Sequence, residues 1–296
     1  MMAHDNVLPL EGSSRVIAND DHQIGAILVD EGKLKEADLE RIVDLQHRRG
    51  LLFGEAARRL GLLDDDDVTA ALDRQYGLPQ LLPGDAGASP ELIAAFQPRH
   101  PCTEELRGLR TQLLLRWFDM AAGRRSLAIT SPGRGDGRSC VAANLAIVFS
   151  QLGLRTLLID ADLRHPRQHQ MFNTPNRIGL AAVLAGRTNV ETVLPVAGCP
   201  KLSLLPAGAV PPNPQELLSR PRLGSLLDEL AMKFDLILLD TSAAQSCADA
   251  RSVAFRAGNA LVIARRDHTR IEASNAMLKE LNDTGTRVVG TVINAF

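Results

Sequence analysis

The sequence predicts a doubly wound α/β domain, with helices on both faces of a parallel sheet, and a small helical domain that precedes it. Apolar runs without polar alternation recur from residue 126 onward, and stretches with helical spacing separate them. A glycine-rich loop follows the first apolar run, and aspartates end two others. In folds of this class, ligands bind beyond the carboxyl ends of the strands.

The predicted strands and helices alternate along the chain. The strands are SLAIT, TLLID, LSLLPAG, DLILLD, ALVIA and VVGTVIN. One helix is predicted over 102–122, and the later helices cover 138–152, 168–185, 214–232, 247–256 and 270–283. Because a helix connects each strand to the next, the strands are expected to pair in parallel.

The composition is that of an ordinary globular protein. Of the 296 residues, 45% are hydrophobic and 23% are charged, which is enough to build a sizeable core. The net charge of -2 gives no support for a nucleic-acid partner. There is no run of 18 apolar residues, and the polar N-terminus lacks the apolar centre of a secretion signal, so we expect a cytoplasmic protein.

An internal repeat lies near the N-terminus. Residues 23–46 and 52–75 start 29 positions apart, and each has glycine at its third and tenth positions and glutamine at its end. Each unit predicts a short helix, a glycine stop and a helix with an acidic start. The predicted organisation is therefore a flexible tail (1–22), a helical tandem repeat (23–80), a linker with one short helical piece (81–101) and an α/β domain (102–296).

Residues 131–140 (SPGRGDGRSC), here called the P-loop, lie between the first strand and a helix. Backbone N–H groups at such a position bind phosphate, and glycines allow the close approach. The candidate nucleotide-binding residues in it are Gly133, Arg134, Gly135, Asp136, Gly137, Arg138, Ser139 and Cys140. Arg138 would supply positive charge to the terminal phosphates, and the Ser139 hydroxyl can ligate Mg²⁺. A simple turn with a helix cap is the alternative, since lysine is the usual residue at position 138.

Three aspartates follow two further apolar strands. Asp160 and Asp162 end TLLIDAD, and Asp240 ends DLILLD. A single aspartate after a strand is often only a helix cap. Three on one parallel sheet, together with the P-loop, predict an ATP site in which Ser139, Asp160 and Asp240 hold Mg²⁺.

The segments GRGDGRS, LLIDADLR and LILLDTS resemble the three Walker motifs of the bacterial tyrosine kinases (BY-kinases), which are P-loop NTPases with a MinD/ParA-like fold. GLAAVLAGR, LLPAGAVPPNPQELL and the helix EELRGLRTQL are also typical of that family. The resemblance covers about 102–296. Within that family, the sequence resembles the separate cytoplasmic kinases of exopolysaccharide loci, the EpsG type of chain-length determinant kinase.

The resemblance implies roles for several residues. Arg138 and Ser139 would hold the β- and γ-phosphates and Mg²⁺. Asp160 and Asp162 would serve the metal and activate the accepting hydroxyl, and Asp240 would complete the metal site. Asn294 lies where relatives of this fold contact adenine. Glu104, Arg107 and Arg110 match the family's ExxRxxR motif, which implies self-association.

The resemblance also implies partners and a location. A kinase of this type forms a homo-oligomer and controls the chain length and export of an exopolysaccharide together with a membrane polysaccharide co-polymerase. It would lie at the inner membrane through that partner.

Three departures point to weak catalysis or to an ATP-regulated binding module. Arg138 replaces lysine, TSAA follows the third motif where the family has a proline pair, and the tyrosine-rich tail is absent, Tyr76 being the only tyrosine. A ParA/MinD-type positioning ATPase is the runner-up by fold. It is disfavoured because Gly133 stands where those proteins carry a signature lysine and because the chain shows no amphipathic tail.

The N-terminal repeat resembles the MshEN (type II secretion ATPase N-terminal) domain, whose units can bind cyclic di-GMP. Ile24-Gly25 and Phe53-Gly54 match its Leu-Gly, and both terminal glutamines match. Gln23 and Leu52 replace the leading arginines, whose guanidinium groups could stack on guanine. A helical docking module and a cyclic di-GMP site are therefore both left open.

Overall fold

The computed structural model describes residues 24–75, 87–189 and 192–295. These residues form two compact units, one on each side of 76–86. The predicted tail, Gln23 and Tyr76 lie outside the described residues. Within the described ranges, no helix combines the length and apolar character that crossing a membrane requires.

The first unit is built as a structural repeat of two helical pairs. Its helices are α1 (24–30), α2 (Glu36–Arg49), α3 (Phe53–Arg59) and α4 (Asp65–Gln75). Buried core positions recur 29 residues apart, in the pairs Ile24 and Phe53, Leu28 and Ala57, Leu34 and Leu63, and Ile42 and Ala71. The repeat in the sequence is therefore a repeat in packing.

The repeated glycines have the same two functions in both units. A Cβ on Gly25 would lie 2.3 Å from the Leu39 side chain, and one on Gly54 would lie 2.6 Å from Val68, so these glycines allow close helix packing. The glycines that follow α1 and α3 have φ of 69° and 67°, the left-handed conformation that ends a helix; they are Gly32 and Gly61. The predicted order of helix, glycine stop and helix is confirmed.

The second unit contains a seven-stranded sheet in the order β3-β4-β2-β5-β1-β6-β7. The strands are β1 (Ser126–Thr130), β2 (Thr156–Asp160), β3 (Leu194–Val196), β4 (Cys199–Leu205), β5 (Leu236–Asp240), β6 (Asn259–Arg265) and β7 (Arg287–Asn294). All neighbouring strands pair in parallel except β3 and β4. The predicted parallel sheet is confirmed. Sequence reasoning missed β3, because three residues that include Pro195 show no strand pattern.

Helices cover both faces of this sheet. They are α5 (Ile93–Phe96), α6 (Pro101–Arg116), α7 (Arg138–Ser150), α8 (Gln168–Met171), α9 (Leu180–Leu184), α10 (Pro214–Ser219), α11 (Pro221–Ala231), α12 (Asp249–Ala257) and α13 (Ile271–Asp283). Alternate residues of a strand enter opposite cores: Leu127 and Ile129 pack against α7, and Ala128 packs on the face of α9 to α13. Burial on both faces explains why the strands are apolar throughout.

Two predicted helices are broken in the structure. The helix expected over 168–185 is the separate α8 and α9, because Asn173 has φ of 47° and Gly179 is extended. The helix expected over 214–232 divides into α10 and α11 at Arg220, whose extended backbone is what a following proline favours.

Part of the predicted linker belongs to the α/β unit. Leu92, Ala94 and Ala95 are buried in the same core as α7. Asn144 of α7 holds this segment, because its side chain accepts a hydrogen bond from the Ala94 N–H and donates one to the Glu91 carbonyl. The prediction that 81–101 is a linker is therefore wrong for these residues, whose apolar run fills a groove of the core.

Gly179 allows close contact between two backbone segments, and its replacement tests this packing. A Cβ at Gly179 would lie 2.1 Å from the Pro206 carbonyl oxygen, whereas one at Gly108 in α6 would meet nothing within 4 Å. We expect Gly179→Ala to lower the free energy of unfolding by about 1–3 kcal/mol. Gly108→Ala should leave it unchanged or raise it by up to ~1 kcal/mol. Thermal unfolding of both variants checks this, and equal stability of the two would contradict it.

Candidate functional site

The P-loop connects the end of β1 to the start of α7. Gly135 and Gly137 have φ of 81° and 93°. A Cβ at Gly137 would lie 2.0 Å from the Asn294 amide nitrogen, and that nitrogen donates to the Asp136 carbonyl at 3.0 Å. The loop thus needs glycine at position 137 for both its backbone conformation and its contact with the end of β7.

Asp136 is buried and shapes the loop. One of its oxygens accepts the Gly133 N–H at 2.7 Å, and the other accepts the Thr269 hydroxyl at 2.7 Å. Arg265 donates to the Gly135 carbonyl at 3.2 Å. Arg265 at the end of β6 and Thr269 before α13 therefore support the P-loop. Sequence reasoning missed Thr269, because it belongs to no motif.

Arg134 is exposed, in contrast to Asp136. It lines a cavity of about 310 Å³ together with Gly133, Asp136, His268, Thr269 and Arg270. Its guanidinium is therefore the accessible positive charge of the loop.

Arg138, the first residue of α7, is buried. Its Nε donates to the Thr241 carbonyl at 2.8 Å, and its Nη1 donates to the Gly133 carbonyl at 2.8 Å and to the Ser131 hydroxyl. Two of these bonds lie within the P-loop, and the bond to Thr241 ties the loop to the segment after β5. The predicted contact with terminal phosphates stays a prediction, and much of the donor capacity of this guanidinium is used within the protein.

Asp160 and Asp240 lie side by side at the ends of β2 and β5, as direct partners in the strand register. Both are fully buried. Burial raises the pKa of Asp160 well above its usual range, and the neighbouring Asp240 charge adds to the shift. Burial also raises the pKa of Asp240, although the Arg138 charge and hydrogen bonds from Gln168 and Ser139 oppose it.

The residues after β2 hold this pair. The backbone N–H groups of Arg167 and Gln168 both donate to Asp160 Oδ2 at 2.9 Å, and the Asp162 N–H donates to Oδ1 at 3.3 Å. The Gln168 amide donates to Asp240 Oδ2 at 2.7 Å and to the Ser139 carbonyl at 3.0 Å. Asp240 Oδ1 is buried and accepts no hydrogen bond from the described residues.

Asp162 has a different environment from its two neighbours. One of its oxygens, Oδ1, accepts the backbone N–H groups of Arg164 and His165 at 3.2 and 2.9 Å. Its side chain therefore stabilises the turn after β2, and at 7% exposure it is more accessible than Asp160 at 0%.

Comparison with known proteins identifies the family. Residues 127–296 match the CobQ/CobB/MinD/ParA nucleotide binding domain. The chain is 32% identical over 200 residues to the putative tyrosine-protein kinase CapB of Staphylococcus aureus and covers 86% of it. The chain belongs to the bacterial tyrosine kinases. The kinase domain of Escherichia coli tyrosine kinase ETK superposes with a TM-score of 0.66 at 28% identity, over 71% of this chain and 81% of that one.

The relatives differ in length. The putative tyrosine-protein kinase EpsB of Ralstonia solanacearum is 38% identical over 69% of this chain, but the match spans only 27% of EpsB. The cell division ATPase MinD of Pyrococcus furiosus, with a TM-score of 0.51 and 26% identity, shares the fold over 57% of the chain. The predicted MinD/ParA-like P-loop fold is thereby confirmed.

Two predicted nucleotide-binding residues, Cys140 of α7 and Asn294 at the end of β7, lie close together. Cys140 and Asn294 line two adjoining cavities of about 450 and 290 Å³, and the smaller one also contains Gly135, Arg167 and Arg265. Burial raises the pKa of the Cys140 thiol. A contact of Asn294 with adenine stays a prediction.

The three residues of the ExxRxxR motif differ in their surroundings. Arg107 forms an ion pair with Glu104 on the surface of α6. Arg110 is half-buried, and its Nη1 donates to the Val148 carbonyl near the end of α7 at 2.7 Å. Arg110 therefore contributes to the packing of α6 on α7, and the role of the motif in self-association stays a prediction.

The oxygen atoms at this site fit magnesium bound together with phosphate. Ser139 and the unpartnered Asp240 Oδ1 are oxygen ligands of the kind Mg²⁺ prefers. No group of three or more His, Cys, Asp or Glu side chains in the described ranges is placed to hold a metal alone. Mg²⁺ commonly takes few protein ligands and completes its shell with phosphate and water, which agrees with this arrangement.

The raised carboxyl pKa values predict how stability depends on pH. When a carboxyl has a higher pKa in the folded chain than the usual 3.8, the free energy of unfolding of the protein falls as pH rises through that higher pKa. We expect Asp160→Asn to stabilise the nucleotide-free protein at neutral pH by about 1 kcal/mol or more, since the Asn oxygen can still accept the Arg167 and Gln168 N–H groups and only the longer bond from the Asp162 N–H, 3.3 Å, is lost. Denaturant unfolding between pH ~4 and ~8 measures this. The control is Asp283→Asn, which changes an exposed carboxyl, and an unchanged stability of Asp160→Asn at neutral pH would contradict the account.

Proposed function

We propose that this chain is a Mg²⁺- and ATP-dependent protein-tyrosine kinase domain of an exopolysaccharide system. It would act with a membrane polysaccharide co-polymerase, and through it lie at the inner membrane and influence chain length and export. The relatives CapB and EpsB, each named a putative tyrosine-protein kinase, and YwqD of Bacillus subtilis, named a tyrosine-protein kinase, support the reaction class. The EpsG type of organisation rests on the motif resemblance.

The arrangement of the strand ends supports this proposal most strongly. Asp160 and Asp240 meet in register beside Ser139, at the carboxyl edge where α/β folds bind ligands. Two buried carboxylates side by side are unfavourable without a cation. A metal ion bound with ATP would compensate this charge.

Each group then has a part in phosphoryl transfer. The P-loop N–H groups and the start of α7 would bind the phosphates, and Ser139 and Asp240 would hold Mg²⁺. The bound metal neutralises charge on the transferring phosphoryl group. Asp160, beside Asp240, would also serve the metal ion. Asp162, the more accessible aspartate after β2, would accept the proton of the attacking tyrosine hydroxyl.

Self-association and the N-terminal unit are separate parts of the proposal. We propose that Glu104 and Arg107, which are on the surface of α6, contact a second copy in a homo-oligomer. We propose a helical docking role for the N-terminal unit. Cyclic di-GMP binding is the alternative, and the missing leading arginines disfavour it.

Titration calorimetry of the full chain with ATP, ADP and cyclic di-GMP, with and without Mg²⁺, tests the binding claim. We expect Mg²⁺-dependent binding of ATP and ADP, and Asp240→Asn should weaken it at least about tenfold because a charged ligand is lost. Asp283→Asn, which changes an exposed carboxyl, is the control. The kinase claim requires phosphotyrosine on a synthetic Glu-Tyr copolymer or on a co-polymerase segment, and its absence under all these conditions would remove that claim.

Arg138 favours the second candidate, an ATP-regulated binding module with little catalysis, because its guanidinium is bonded within the protein. A lysine ammonium is more compact and carries no rigid fork. We expect Arg138→Lys to raise the ATP hydrolysis rate by roughly tenfold or more, as one better charge contact with the transition state would. An unchanged and already substantial rate would contradict the binding-module alternative.

A further inference from the structure

Gln168 connects the three parts of the candidate site. It begins α8, directly after the segment that follows β2, and it is fully buried. Its backbone N–H donates to Asp160 at 2.9 Å. Its side-chain amide donates to Asp240 Oδ2 at 2.7 Å and to the Ser139 carbonyl at 3.0 Å. One residue therefore links the ends of β2 and β5 to the first turn of α7.

Chemistry fixes the orientation of this amide. Both side-chain partners of Gln168, a carboxylate and a carbonyl, only accept hydrogen bonds, so the NH₂ group must face them. Flipping the amide would place three acceptors against one another. The amide oxygen Oε1 must therefore point away from both partners.

Two buried acceptors remain without a donor at this place. Gln168 Oε1 and Asp240 Oδ1 accept no hydrogen bond from the described residues and are shielded from solvent. They belong to two side chains that are hydrogen-bonded to each other. Such acceptors are unfavourable unless a ligand or an ordered water satisfies them.

A hydrated magnesium ion satisfies both kinds of acceptor. A carboxylate oxygen can bind the ion itself, whereas an amide oxygen can accept a hydrogen bond from a water that the ion keeps. We propose that Gln168 is a positioning residue that fixes Asp240 for Mg²⁺ binding and whose Oε1 accepts a hydrogen bond from a water of the magnesium shell. This inference rests on the proposed function, because it requires Mg²⁺ to bind with nucleotide at this site.

The test compares ADP affinity of the full chain with Mg²⁺ and with EDTA, by calorimetry. Gln168→Met keeps the length of the side chain but removes both the NH₂ donor and the oxygen acceptor of the amide. The matched control is Gln170→Met, on the same short helix with an exposed side chain. We expect Gln168→Met to weaken binding in Mg²⁺ by roughly ten- to a hundredfold and in EDTA by less than about threefold, because only the metal-dependent contacts are lost. Gln170→Met should match wild type in both conditions.

The outcomes separate the two claims. If wild type shows no Mg²⁺-dependent ADP binding, the proposed function fails and this inference fails with it. If wild type binds as expected but Gln168→Met weakens binding equally with Mg²⁺ and EDTA, or not at all, only the role of Gln168 is overturned. Should Gln168→Met fail to show a cooperative thermal transition, Gln168→Asn replaces it. Its amide is one methylene too short to span both partners, so the same Mg²⁺-specific loss is expected and an equal loss in both conditions overturns the role.

Discussion

The buried pair of Asp160 and Asp240 is the constraint on which the site depends. Two fully buried carboxylates in register on neighbouring strands are costly in free energy. Three kinds of contact offset this cost. The residues after β2 supply backbone N–H groups, Gln168 supplies its amide, and Arg138 supplies a nearby positive charge. One carboxylate oxygen, Asp240 Oδ1, still lacks a partner in the described residues. A cation would complete this set of contacts.

The same logic explains how the P-loop is held. Its conformation depends on Asp136, which accepts hydrogen bonds from the Gly133 N–H and the Thr269 hydroxyl. It also depends on Arg138, which donates to the Thr241 carbonyl. Among these contacts, only the bond from Gly133 uses a backbone N–H group of the loop. If the loop binds phosphate as proposed, its rigidity lowers the entropy cost of binding, because the N–H groups are oriented before the ligand arrives.

The elements that have strong local patterns could be predicted from the sequence. Apolar strands, the P-loop, the strand-end aspartates and the glycine repeat each depend on residues close together in the chain. The rest depends on contacts across the fold. Gln168 reaches Asp240 over 72 residues and Thr269 reaches Asp136 over 133, so no spacing rule could find them. The break between α8 and α9 does have a local signal, the polar stretch 173–177 with Pro175, which the helix predicted over 168–185 ignored. The packing of Leu92 was missed because its groove forms only in the folded unit.

The central claim is that a nucleotide-bound metal ion lies between Ser139 and Asp240, at the carboxyl ends of β2 and β5. A crystal structure of the full chain grown with Mn²⁺ and ADP, with anomalous diffraction from manganese, tests it most directly. We expect one strong anomalous peak within coordination distance of Ser139 Oγ and Asp240 Oδ1, with the diphosphate along the P-loop. A peak or a nucleotide at another edge of the sheet would contradict it.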